Sequence, residues 1–258
     1  MRTAGILLSI ILFLTMGAPC PAGGEGSPER TDPEQLFARG NDHYEKAEYG
    51  KAIDEYKNVL DEGYESGPLY YNMAGAYFKA GSLGRAILNY ERAKNVMPRD
   101  ADLISNYRFA RTTAKGRVIP EKGIWTWTPL RLYSASFTVD ELTWLSSGIY
   151  MLIIILLFIA VLRPDKSRQV LAAAVLLFVF ILFNSVVVWH EVDKMDTAAV
   201  TIAPEAEALF GPFDSATEFF TLWEGMDVTI LKTKDDWYKV RRADGKVGWV
   251  RKSDVERI

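Results

Sequence analysis

Apolar and polar positions follow three different rhythms along this 258-residue chain. A short apolar run, 6–14, follows Arg2 and gives way to small residues and prolines. It reads as an export signal over residues 1–22. Two longer stretches, 142–162 and 169–189, each hold 21 residues without a charge. At about 1.5 Å per residue each makes a helix as long as the hydrocarbon core of a bilayer is thick. Residues 144–162 include twelve Leu, Ile, Val or Phe, and 170–189 include fourteen. These outweigh the polar pair Asn184–Ser185, so two membrane-spanning helices are expected, 144–162 and 170–189. The remaining rhythms are helical before the first span and strand-like after the second.

Charge sets the expected orientation. The loop 163–169 carries three basic residues, whereas the outer flanks, 129–143 and 190–204, hold only Arg131 and Lys194. The positive-inside rule puts that loop in the cytoplasm and both long flanks outside, as an exported N-terminus also requires. Trp144 and Trp189 stand at the outer ends of the spans, where an aromatic belt belongs. Thr138 and Glu141 offer a capping box in front of the first span. The segment 117–143 reads as a linker with an interfacial part.

After a leader at 23–32 rich in Gly, Pro and charge, the chain matches itself at an offset of 34 residues. Gly40 returns as Ala74, Tyr44 as Phe78, Ala52 as Ala86, Ile53 as Ile87 and Tyr56 as Tyr90. Small residues let paired helices cross closely, and aromatic residues fill the space between pairs. This pattern resembles the tetratricopeptide repeat, with repeats at 33–66 and 67–100 and Pro98 closing the second. Tyr64 stands where the first would carry that proline. Residues 101–114 look like a helix that shields the end of the stack, so the region runs 33–116. The resemblance implies a partner-binding groove lined by Phe37, Asn41, Tyr44 and Glu45 and by Tyr71, Asn72, Phe78 and Lys79. Asn41 and Asn72 match positions that hold a partner's C-terminal carboxylate in some members. Phe37, Asp102 and Asn106 stand where the basic companions would be, so packing and local hydrogen bonds are the expected use of these asparagines. Residues 33–66 hold nine acids against four bases, and 67–100 two against five. That asymmetry either orients a dipolar partner or is simply solvated.

Strand signals begin at 197–202, with punctuation at Pro204, Gly211 and Pro212. Residues 227–231 and 237–241 read as strands, Asp244–Gly245 as a tight hairpin turn, 246–250 as the returning strand and 253–255 as a final turn and strand. The pieces Glu224-Gly225, Asp236-Trp237-Tyr238-Lys239-Val240 and Gly248-Trp249-Val250 resemble the bacterial SH3-like domain, covering 197–258. The resemblance implies a small barrel that binds peptide or cell-wall material. Trp237 is expected in its core, and Trp223, Tyr238 and Trp249 are the candidates for its ligand groove.

The rest of the composition mainly excludes. Thirty bases against 33 acids leave no field for nucleic-acid phosphate. The single cysteine, Cys20, permits neither a disulfide framework nor a cysteine-based zinc site, and falls in or next to a cleavable leader. The residues before it fit a lipidation signal poorly. There is no phosphate-binding loop, HExxH, GxSxG or GxGxxG, and the two histidines, His43 and His190, read as a packing residue and an interfacial anchor. No enzyme activity, cofactor or metal is expected. The fold class is a multidomain membrane protein: all-α tetratricopeptide helical repeats, a two-helix transmembrane hairpin and a small all-β SH3-like barrel. In this order the modules resemble the BatE type among the Bat (aerotolerance-operon) membrane proteins. That resemblance implies a bacterial inner (cytoplasmic) membrane location with both soluble parts periplasmic. It implies other Bat proteins with von Willebrand A-type domains as partners, and a link to a MoxR-type AAA ATPase. Two roles are consistent with it, a scaffold for an envelope complex and a peptidoglycan-binding sensor or anchor.

Overall fold

The computed structural model describes residues 32–115 and 128–258. The expected export signal, the leader, Cys20 and most of the linker before residue 128 lie outside the described residues.

Five helices form the first part: α1 (Pro33–Glu45), α2 (Tyr49–Asp61), α3 (Gly67–Lys79), α4 (Leu83–Val96) and α5 (Ala101–Thr113). Both helices of the first pair recur 34 residues later as the second. The small positions explain the close crossing. Ala52, Ala74 and Ala86 are fully buried, and a Cβ on Gly40 would stand 2.4 Å from the Tyr56 ring. Caps fix the helix starts: Ser66 Oγ accepts from the Leu69 amide, and Asp100 Oδ1 from the Leu103 amide at 2.8 Å. Both intra-pair turns need a left-handed residue. The second uses Gly81 (φ 83°), whereas the first places Ala47 there (φ 58°).

The apolar part is an antiparallel pair, α7 (Val139–Leu162) and α8 (Ser167–Thr197), preceded by the short α6 (Thr128–Ser136). The Thr138–Glu141 capping box is present. Both helices are long and apolar enough to cross a membrane, and their side chains are mostly uncovered, Phe158 at 64% and Leu176 at 72% exposure. They outrun the apolar stretches. Helix α8 absorbs Ser167 and Arg168 from the expected loop, of which a single tight turn at Pro164–Lys166 remains, and it continues through 190–197. Charged residues there need water rather than a break in the helix. The polar Asn184 is fully buried but satisfied. Its amide donates to the Leu142 carbonyl (2.9 Å) and to Ser146 Oγ (2.6 Å), and its oxygen accepts from the Tyr133 hydroxyl (2.8 Å). Tyr133 thereby pins α6 against the pair.

Helix α8 passes without a linker into a seven-stranded antiparallel sheet: β1 (Ala198–Thr201), β2 (Glu205–Leu209), β3 (Glu218–Trp223), β4 (Asp227–Lys234), β5 (Trp237–Arg242), β6 (Val247–Arg251) and β7 (Val255–Arg257). The order is β3-β2-β6-β5-β4-β1-β7. Leu222, Val240 and Val250 are fully buried in its core. The β2–β3 hairpin was not expected from the punctuation at Pro204, Gly211 and Pro212. Its signal is the alternation of Glu205, Ala206, Glu207 and Ala208, exposed and buried in turn.

The sheet docks on the helical stack. Val200 of β1 belongs to the helical core, and Ile202 and Ile258 pack against that core. Around this apolar centre Arg92 Nη2 donates to Glu256 Oε1 (3.1 Å) and to the Arg257 carbonyl (2.7 Å). Arg111 pairs with the Asp227 carboxylate and donates to the Gly225 carbonyl (2.7 Å). The first turn of α4 has no side-chain cap from Ser82. Glu224 of the sheet provides one, accepting from the Gly84 amide at 2.8 Å. Arg99 reaches the start of α7, bonding Glu141 and the Ser136 carbonyl. Helical stack and sheet therefore share one end of the apolar pair. Three of the five bases of the positive second helical pair, Arg92, Lys94 and Arg99, are engaged within the chain, so much of that unit's positive charge is used internally.

Candidate binding sites

Two cavities present polar and aromatic groups together. The first, of about 200 Å³, lies in the helical stack between Tyr44, Tyr71, Asn72, Gly75, Tyr90 and Asn106. Four helices contribute to it: Tyr44 from α1, Tyr71, Asn72 and Gly75 from α3, Tyr90 from α4 and Asn106 from α5. Asn106 donates to the Tyr71 hydroxyl at 2.6 Å. Asn41 Oδ1 accepts from both the Tyr56 hydroxyl (2.8 Å) and Asn72 Nδ2 (2.9 Å). Burial pushes the Tyr90 and Tyr56 hydroxyls up to about 12 and raises Tyr44, so all three stay neutral donors. A neutral, hydroxyl- and amide-lined hollow of this size fits a peptide group or a small side chain, not a carboxylate needing a cation.

Of the eight residues expected here, Tyr44, Tyr71 and Asn72 line the cavity and Asn41 braces it from behind. Phe37 stacks on Tyr56 with ring centres 5.8 Å apart, and Phe78 on Phe109 at 5.6 Å; both pack against the core. Glu45 and Lys79 end their helices exposed, away from the lining. Sequence reasoning did not place Tyr90, Gly75 or Asn106 in the site. Carrying the 34-residue offset one step past Asn72 arrives at Asn106, and past Asn41 at Gly75.

The second cavity, of about 450 Å³, lies on the sheet between β2, β5 and β6. Glu205, Glu207 and Leu209 face it from β2, with Asp214, Asp254, Trp237 and Arg251 completing the wall. Trp237 is 8% exposed, under the Arg251 guanidinium 5.1 Å from its ring centre, and Arg251 in turn pairs with Asp214. Four carboxylates against one arginine make this an acidic hollow with an aromatic floor, suited to an ammonium-bearing ligand.

The three aromatic residues expected to share a ligand groove do not. Tyr238 pairs in register with Val250, and Lys239 with Trp249. Successive strand residues point to opposite faces, so Tyr238 and Trp249 stand on opposite faces of the sheet. Tyr238 and Trp223 pack against the core, and Trp249 lies under Lys239, 5.9 Å away. Trp237, expected to be core only, is both buried and part of the cavity wall.

Among the described residues no group of three His, Cys, Asp or Glu is arranged to hold a metal ion. His43 bonds Glu48 at 2.6 Å, closing the α1–α2 turn.

Residues 212–256 match the model of the bacterial SH3 domain. The match starts in the β2–β3 connection and ends in β7, so it includes the acidic cavity apart from its β2 wall. A domain of this kind points to protein or peptidoglycan binding. A comparison with curated proteins gives no match for the chain.

Proposed function

We propose that this protein is a membrane-anchored, non-enzymatic adaptor whose helical stack, of tetratricopeptide type, grips a partner protein while the sheet takes a second ligand. The observation that carries the reading is the docking of both modules on one end of the apolar pair through Val200, Arg92, Arg111 and Arg99. Held at a fixed separation, two weak sites on one molecule act at high mutual effective concentration. The 34-residue offset and the neutral cavity support the tetratricopeptide part. The order of modules supports membership of the BatE type, in a bacterial inner membrane with both modules periplasmic, and partners among Bat proteins with von Willebrand A-type domains. A MoxR-type ATPase is then a further member of the assembly.

The match to the bacterial SH3 domain favours a second reading, a peptidoglycan sensor or anchor. One experiment separates them. A photo-crosslinking amino acid is placed at Glu45, exposed at the end of α1 and next in sequence to the cavity-lining Tyr44, in the full chain in native membranes. Trapping of a von Willebrand A-type protein supports the adaptor. Retention of the full chain on purified sacculi, with no protein trapped at Glu45, supports the anchor and defeats the adaptor.

A further inference from the structure

We propose that the turn joining α7 to α8 is a binding site for the headgroup of an anionic phospholipid. A cavity of about 410 Å³ opens there, lined by Arg163 and Lys166 at the turn and by Ile159, Leu162 and Val170 on the two helices. The lining is divided as an amphiphile is divided, with two cations at one end and three aliphatic side chains at the other. Arg92, Arg99 and Arg111 each hold a carboxylate. Arg163 and Lys166 form no ion pair with any described residue.

The backbone adds to the same field. Helix α8 starts at Ser167 with no side-chain cap and no acidic residue in its first turn, so the positive end of a 31-residue helix meets the two cations. Asp165, the one acid of the turn, lies outside the lining. A free phosphate or nucleotide would use the cations and leave the aliphatic wall in contact with water. A phospholipid uses both, with its phosphate on Arg163 and Lys166 and an acyl chain along Ile159, Leu162 and Val170. The site also stands at the end of the apolar helices, where headgroups lie. Such a lipid would fix how deep the hairpin sits, and through α8 the height of the sheet that follows it directly.

The inference rests on the reading of α7 and α8 as a membrane hairpin. The full chain is purified, delipidated and reconstituted into nanodiscs of phosphatidylcholine doped with phosphatidylglycerol, and the retained lipid is measured by native mass spectrometry. The wild type is expected to keep phosphatidylglycerol in preference to phosphatidylcholine, and R163Q/K166Q to lower that preference about thirtyfold, the scale of two lost surface-bound charges. Arg168→Gln, in the same turn region but outside the cavity, is expected to lower it by no more than about fivefold, the scale of one surface charge. Equal retention by wild type and double variant overturns the site. An equal loss in Arg168→Gln also overturns it, because general surface charge then suffices. Displacement of phosphatidylglycerol by inorganic phosphate overturns the lipid as occupant. Alkaline carbonate extraction keeps the two readings apart. A chain that leaves the membrane fraction defeats the hairpin itself, whereas one that stays without lipid preference defeats only the site.

Discussion

The joints inside the helical stack and the junction between stack and sheet are built on different principles. Inside the stack, α1 meets α2 through Gly40 against the Tyr56 ring, and Tyr56, Ala52, Ala74 and Ala86 are sealed from water. One partly exposed ion pair, Arg39 with Glu55 at 3.0 Å, bridges α1 and α2 beside this contact. At the junction an apolar centre of Val200, Ile202 and Ile258 is surrounded by Arg92–Glu256, Arg111–Asp227 and the Glu224 cap on α4. Burial of an aliphatic side chain contributes about 1.5–3 kcal/mol, and a partly exposed ion pair about 0.2–1 kcal/mol. The hold of the junction therefore comes from its centre, and its register from its charged rim. Shape governs the core of the first kind of joint. The second also responds to salt and pH.

The largest expected effect tests the stack. Tyr56→Ala removes a fully buried ring and one of the two hydrogen bonds that the Asn41 oxygen accepts. It should cost about 3–5 kcal/mol in urea unfolding of the helical signal. A loss below about 1 kcal/mol would mean that the stack is not a shape-determined joint. Next comes the junction. A Cβ on Gly84 would stand 2.5 Å from the Thr201 carbonyl oxygen, which is backbone and cannot swing aside. Gly84→Val should therefore cost the docked state about 1–3 kcal/mol. Energy transfer between dyes on α5 and β4 should fall while the helical far-ultraviolet signal stays. Unchanged transfer would show that the sheet is held elsewhere.

A smaller effect contrasts two turns within the stack. Gly81 takes the left-handed conformation without cost, whereas Ala47 carries a side chain into it. Ala47→Gly should raise stability by about 1 kcal/mol and Gly81→Ala should lower it by a similar amount. Opposite shifts in urea midpoint check this; shifts of one sign would remove the equivalence of the two turns.

This split also explains what could be read from the sequence. The stack was legible because close crossing demands small residues at fixed intervals, and Gly40, Ala52, Ala74 and Ala86 advertise it. The apolar pair was legible because a bilayer demands length and the absence of charge. Strand faces were harder. Whether Tyr238 and Trp249 share a groove depends on register across β5 and β6, which neither residue reveals. The hairpin of β2 and β3 was there to be seen in Glu205–Leu209, but alanine in the buried positions makes a weak apolar signal. The junction left no sequence mark, since Gly84 and Glu224 meet across 140 residues. Its arginines look like any solvated base.

The smallest expected effect concerns pH, and its sign follows from one carboxylate. Burial opposes the charge on Glu91, but Lys94 at 2.7 Å and the Tyr107 hydroxyl outweigh it and hold the group below its ordinary value of 4.5. The contribution of Glu91 is then present in full above pH 4.5 and disappears as pH falls through the depressed value. Tyr107 is pushed far up by burial and by Glu91, so it stays a donor throughout. Its ring carries Arg111, 5.7 Å from the ring centre, and so links Glu91 to the junction. Asp227 works in the opposite direction, raised by burial though lowered by Arg111, and blurs the acid response of the wild type. The difference between wild type and Glu91→Gln isolates the first group. Stability measured by urea unfolding should differ by about 1 kcal/mol at neutral pH, and the two proteins should converge as pH falls below 4.5. Glu91 and Tyr107 sit on α4 and α5, so the acid loss should appear first at the α4–α5 contact, which carries Arg111 toward the junction. A difference that persists unchanged into acid would remove Glu91 from the account.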